Sequence, residues 1–163
     1  MTEHYCSLKF DGSPVSKYAP QSVPPNVWTP VRFPAGAAEP EDDENMHPYT
    51  VDGVDYPYSS PEASLIRPPV TGPVGHWYVK VNWETGQSFS RALKTQLCRD
   101  PFGEPDWTGT DTRAPLPDGA EHDIALAWAF RLNAAQPVAV RVKHNEPSAR
   151  RIVLAEFKLW YVD

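Results

Sequence analysis

Five histidines, two cysteines and one run of carboxylates are the residues of this chain with types suited to chemistry. His4, His47, His76, His122 and His144 are scattered. Two metal ligands on one strand face need two-residue spacing, and beyond His76 that place is held by Tyr78. His76 therefore reads as a solvent-side strand residue. The run Glu39-Pro-Glu-Asp-Asp-Glu-Asn45 offers five carboxylates, and calcium prefers several oxygen ligands. It has no glycine and no alternating Asp spacing, so it reads as a solvated acidic loop. Asp123 and Glu156 are candidate paired carboxylates, although a charge at a strand edge or in a salt bridge is the commoner case. Cys6 and Cys98 lie far apart in no metal-like spacing and are expected as free thiols. Trp107, between Asp106 and Thr108, has three readings: stacking on a sugar, anchoring a partner or plugging the end of the domain. There is no Gly-x-Ser-x-Gly elbow, no phosphate-binding Gly-Lys-Ser/Thr loop and no His-Glu-x-x-His. No catalytic residue, cofactor or metal is assigned, and a non-enzyme is expected.

Strands must position these residues. Asp123 to Leu132 alternates strictly: Ile124, Leu126, Trp128, Phe130 and Leu132 on one face, Ala125, Ala127, Ala129 and Arg131 on the other. Val138, Val140 and Val142 oppose Ala139, Arg141 and Lys143 in a second strand, after a turn at Asn133 to Gln136. Ile152 to Val162 is a third. Val153, Ala155, Phe157, Leu159 and Tyr161 share one face; Ile152, Leu154, Trp160 and Val162 share the other with Glu156 and Lys158. A strand apolar on both faces needs a cover on both.

Earlier in the chain, His76 to Trp83 is a clear strand with Trp77, Val79, Val81 and Trp83 inward. Ser88 to Cys98 is a further strand, and Asp100 to Gly119 reads as a long loop. Val27 to Phe33 reads as a first strand, placed at an edge by Pro30. Tyr49 to Tyr56 reads as a short hairpin about Asp52-Gly53. Of 19 prolines, 13 precede residue 76, which excludes continuous helix or central strand there. Residues 1–26 read as an extended arm: Tyr5, Leu8, Phe10, Val15 and Tyr18 are apolar without strand periodicity. Such an arm orders on a neighbouring protein or remains a mobile tail.

The pattern predicts an all-β, two-sheet antiparallel sandwich over 27–163, with a proline-rich N-terminal arm. Its core should hold Phe33, Trp77, Val79, Val81, Leu126, Trp128, Phe130, Val140, Val142 and one face of 152–162. A formal charge of −6 argues against a nucleic acid held by phosphate contacts. No run of about 18 apolar residues exists to insert in a membrane. The N-terminus lacks a basic-then-apolar signal pattern, so cytoplasmic folding is expected.

Taken together the strands resemble the jelly-roll head of the C1q and tumour-necrosis-factor superfamily. Trp28 to Phe33 is similar to its opening strand. Pro69-Val-Thr-Gly-Pro-Val-Gly-His-Trp-Tyr78 is similar to its proline, glycine and tyrosine lead-in to a core strand. Leu132 to Phe157 is similar to its closing pair. The chain departs from the pattern at Ala134-Ala-Gln-Pro137, where the acidic turn glycine is absent, and in its long proline-rich insertion at 34–64. The resemblance implies a homotrimer around a threefold axis. Self-standing heads of this kind look like those of tailed-phage virions. It therefore implies a capsid decoration or minor capsid protein, assembled in the host cytoplasm and held to the major capsid protein or a tail protein by the arm. Candidate contact residues are Tyr5, Phe10, Tyr18, Trp107, Trp160 and Tyr161. The alternative is a tail-attached adhesion head reading a host surface glycan through Trp107 and the 100–119 loop. A sugar-modifying or sugar-isomerising enzyme of the β-helix class is disfavoured by the missing His-x-His.

Overall fold

The alternation in the sequence becomes two antiparallel sheets in the computed structural model, which describes residues 1–14, 18–34, 38–47, 50–51, 54–55, 57–87, 89–103, 105–113 and 123–163. In chain order the strands are β1 (Glu3–Asp11), β2 (Gln21–Val23), β3 (Thr29–Pro30), β4 (Ala38–Asp42), β5 (Thr50–Val51) and β6 (Val54–Asp55). They continue as β7 (Leu65–Ile66), β8 (Val74–Trp83), β9 (Leu93–Arg99), β10 (Asp106–Arg113), β11 (Asp123–Arg131), β12 (Val138–His144) and β13 (Arg150–Val162). The first sheet runs β11-β8-β13-β1-β4, with β2 also pairing β13. The second runs β10-β9-β12-β3, with β7 also pairing β12. The fold is all-β as expected. Among the described residues the one helical turn is a 3₁₀ segment, Pro61–Ser64, and no helix is long and apolar enough to cross a membrane.

The core lies between the sheets. Trp77, Val79, Val81 and Trp83 face it from β8, Leu93 and Leu97 from β9, and Val140 and Val142 from β12. Phe157 packs its ring against Trp77 at 5.5 Å and against Phe33 at 6.0 Å. Each such side chain contributes about 1.5–3 kcal/mol by leaving water. Gly75 is fixed by proximity, because a Cβ there would stand 2.3 Å from Leu132 Cδ2 and 2.9 Å from Leu159 Cδ1.

The structure settles which face of the last strand is inward. Ala155, Phe157, Leu159 and Tyr161 are buried, and Trp160 is 38% exposed. Ile152 is buried out of phase with them, because a register shift between Ile152 and Leu154 inserts one residue opposite β8. A bulge of this kind returns the next side chain to the same face.

Two stretches of the expected arm, Glu3–Asp11 and Gln21–Val23, are strands of the first sheet. β1 pairs with β13 along its whole length, from Glu3↔Val162 to Asp11↔Leu154, and with β4 on its other side. His4, Cys6, Leu8 and Phe10 are all buried, so β1 has period-two alternation with a histidine and a cysteine in it. β2 extends the same sheet alongside Arg150–Ile152. Val15 lies outside the described residues.

Other boundaries move as well. The strand expected over 27–33 forms its ladder with β12 at Thr29 and Pro30, with the Val31 N–H also donating to the Val140 carbonyl at 2.9 Å, and Pro30 holds an edge position as foreseen. The acidic stretch is no free loop: Ala38–Asp42 forms β4, with Cys6↔Asp42 and Leu8↔Ala38 in register. The 100–119 loop contains β10, paired to β9 from Asp106↔Arg99 to Arg113↔Leu93. The short hairpin is present as Thr50↔Asp55 and Val51↔Val54; Asp52 and Gly53 lie outside the described residues. Trp128 is not in the core. It stands opposite Trp77 in register, but β11 ends its sheet, and Trp128 is 46% exposed. Phe130 stacks on Trp77 at 5.1 Å and takes the covering position instead.

Candidate functional site, the outward face of the first sheet

The backbone register aligns side chains in rows across four strands. Tyr5 on β1 stands beside Trp160 on β13, Trp160 beside His76 on β8, and His76 beside Ala129 on β11. The next row is Ser7, Lys158, Tyr78 and Ala127, and the third is Lys9, Glu156, Lys80 and Ala125. The face thus grades from aromatic to charged. The His76 and Trp160 rings lie 5.1 Å apart, tilted by 41°. Tyr78 and Trp160 are each 38% exposed, and Val74 extends this surface along β8. Lys158 Nζ of the second row lies 3.4 Å from Glu156 of the third, and Lys80 Nζ of the third row lies 3.7 Å from Asp123. Asp123 and Glu156 therefore each hold a lysine. The alanines of β11 leave a low strip beside the aromatic rows.

An antiparallel β11-β8-β13-β1-β4 sheet packed on a β10-β9-β12-β3 sheet is a jelly-roll arrangement. No protein-family model and no curated protein matches the chain. Solved structures do match. Against the Eiger TNF of S. frugiperda the TM-score is 0.59 at 15% identity, covering 98% of this chain and 94% of that one. The globular domain of zebrafish complement 1qA gives 0.58 at 9% identity, over 95% and 94%. Murine APRIL at pH 8.0 gives 0.58 at 11% identity, over 97% and 99%. The fold is that of the TNF and C1q jelly rolls. At these identities the likeness is one of architecture, and it spans the whole head, β1 included.

The TNF/C1q-like head separates the six contact residues expected from sequence. Trp160 and Tyr5 meet on the outward face. Phe10 is fully buried, its ring 6.4 Å from Tyr58, and is a core residue. Tyr18 is half-buried, 5.5 Å from Tyr58, and packs on the same core. Tyr161 is fully buried, stacked on His4 at 4.7 Å, and its hydroxyl donates to Glu44 Oε2 at 3.2 Å. Burial, then the neighbouring Glu44, pushes that phenol well above its ordinary value. Phe10 and Tyr161 are therefore core residues, and Tyr18 is packed on that core with part of its ring exposed. The Trp107 backbone is in β10 opposite Cys98; its side chain lies outside the described residues.

The polar residues singled out above are also engaged within the head. Asp42 accepts the backbone N–H of Met46 at 2.6 Å and of His47 at 2.9 Å, and Asp43 accepts that of Tyr5 at 3.0 Å. His4 lies with Nδ1 2.7 Å from Glu44 and Nε2 3.1 Å from Asp163, tying three segments together. His47 and His144 bond the carbonyls of Leu65 and Val23. His122 lies outside the described residues. Cys6 and Cys98 are free and buried, and burial raises both thiols. Among the described residues no group of three or more His, Cys, Asp or Glu could hold a metal ion.

Proposed function

We propose that the protein is a non-enzymatic homotrimeric head that associates through the outward face of its first sheet. The observation carrying this is the row Tyr5, Trp160, His76 and Ala129 with the exposed Tyr78 and Val74 on the same face. An apolar patch of this kind is uncommon on soluble monomers, whose contiguous apolar surface is usually small. Aromatic rings beside a strip of alanines offer knobs and a flat seat on one surface, which a closed ring of copies can use self-complementarily. The trimeric arrangement expected from the resemblance supports the same reading.

Sedimentation equilibrium at micromolar concentration tests it. A trimer is expected for the wild type, and a folded monomer for Trp160→Asp. A wild type that sediments as a monomer would overturn the proposal.

The finer sequence reading, a virion decoration or tail head assembled in a host cytoplasm, took its attachment device from residues 1–26. With β1 and β2 in the first sheet, attachment to a major capsid or tail protein would use a surface of the head itself. Electron microscopy of virions with and without the protein is the test of that role.

A further inference from the structure

The outward face of the second sheet carries cations that hold no carboxylate among the described residues. Lys143 on β12 stands directly opposite Lys94 on β9, and Arg141 stands opposite Gln96 one step along the face. The alternation that buries Val140, Val142, Leu93 and Leu97 in the core turns these four side chains the other way. Like charges directly opposed weaken a strand pair. Elsewhere in the described head Arg67, Lys80, Arg99, Arg150, Arg151 and Lys158 each hold a carboxylate. Among the described residues no carboxylate bridges to Lys94, Lys143 or Arg141, in a chain whose formal charge is −6.

Arg141 is the decisive member. It is 7% exposed, its Nη2 donates to Gln96 Oε1 at 2.6 Å, and its guanidinium lies 5.4 Å from the Trp28 ring. Its Nε has no partner among the described residues. A guanidinium withdrawn from water with one neutral acceptor and one ring carries a field that no ion pair among the described residues cancels. Arg141 lies two residues from Lys143 on the same face of β12, next to the opposed lysine pair. An anion set there would relieve both.

We propose that this face binds an acidic saccharide. The sugar carboxylate sits between Lys94 and Lys143, over the fixed positive charge of Arg141, and the half-buried Trp28 indole gives the ring a stacking wall. The indole favours a saccharide over an acidic peptide, which would use the cations and leave the ring idle. The arrangement does not depend on contacts through the first sheet.

Calorimetric titration of the full chain with trigalacturonic acid, neutral galactotriose and hexaglutamate tests this. Trigalacturonate is expected to bind with an affinity that falls as salt rises, because ions screen exposed charges. Galactotriose is expected to show no heat. Lys94→Gln/Lys143→Gln, checked for unchanged melting, is expected to weaken trigalacturonate by about tenfold or more, while Lys158→Gln on the other sheet leaves it unchanged. Absence of trigalacturonate binding at about 10 mM, where even a weak site would fill, overturns the proposal. So does full binding by the double variant, and so does hexaglutamate binding as tightly as the sugar acid.

Discussion

The two sheets turn opposite kinds of surface to the outside. The first presents aromatic and alanine rows, with Lys80 balanced by Asp123 and Lys158 by Glu156. The second presents Lys94, Lys143 and Arg141 without a carboxylate among the described residues. A surface of rings and small side chains can meet a copy of itself. A surface of one sign repels its copy and must meet something else. Charge pairing, more than apolar content, therefore separates the face suited to self-association from the face suited to a foreign ligand.

The sharpest test of the first half of that contrast uses neighbouring residues on β13. Tyr161→Asp places a carboxylate in the core beside Glu44 and is expected to cost more than about 4 kcal/mol, enough to unfold the head in a denaturant titration. Trp160→Asp, one residue away and 38% exposed, is expected to leave cooperative unfolding intact and to abolish self-association on sedimentation. If both variants unfold, the outward face is needed for the fold, and the contrast between the sheets fails.

A smaller effect concerns a carboxylate close to the second sheet that is committed elsewhere. Glu146 accepts the Arg91 N–H at 2.7 Å and the Ser90 hydroxyl at 3.1 Å, and lies 3.5 Å from Arg150. Burial pushes its carboxyl up, but these donors and the guanidinium outweigh burial and hold it below the ordinary value near 4.5. A depressed carboxyl contributes stability that is present above its unfolded value and is lost as pH falls through its folded one. Glu146→Gln is expected to cost about 1–3 kcal/mol at pH 7, with the gap to wild type closing below about pH 4 in acid melts. A gap that stays constant into acid would show that the charge is unimportant.

The smallest expected effect comes from reversing one cation. Lys143→Glu creates an opposed pair with Lys94 and is expected to stabilise the head by about 0.2–1 kcal/mol, raising Tm slightly. The same change should abolish trigalacturonate binding. A lowered Tm would mean that the two lysines do not repel as placed.

Much of this architecture was legible in the sequence where core residues were uniformly apolar. β8, β12 and β13 alternate Val, Trp, Phe and Leu, and the period stands out. β1 was not legible, because its core face reads His4, Cys6, Leu8 and Phe10, while Tyr5 is apolar and out of phase. A polar residue in a core series hides the period; only Glu44 and Asp163 make His4 admissible there. Trp128 shows a different limit. Alternation assigns a face, but it does not say that β11 ends the sheet. Of the outward face, Trp160 was readable as a candidate, and the row joining it to Tyr5 was not. Arg141 and Lys143 were readable as one face of a strand. Lys94 came from a stretch read with different partners, and only the register brings it opposite Lys143. Long-range strand pairing is a property of topology, and local residue patterns do not encode it.

Thr2 and Asp163 exchange two backbone hydrogen bonds, at 3.0 and 3.1 Å, so β1 and β13 close on each other at one pole. A short flexible splice could join these residues with little entropy to overcome. The turn where the Gln136 N–H meets the Asn133 carbonyl at 2.9 Å would then be a natural place to open the loop. The backbone is in effect a bracelet with its clasp at Thr2 and Asp163. A circularly permuted variant should keep every strand partner while exchanging which pairings are near and which are distant along the chain. Its folding rate, set against an unchanged melting temperature, would report how much of the barrier lies in bringing β1 to β13.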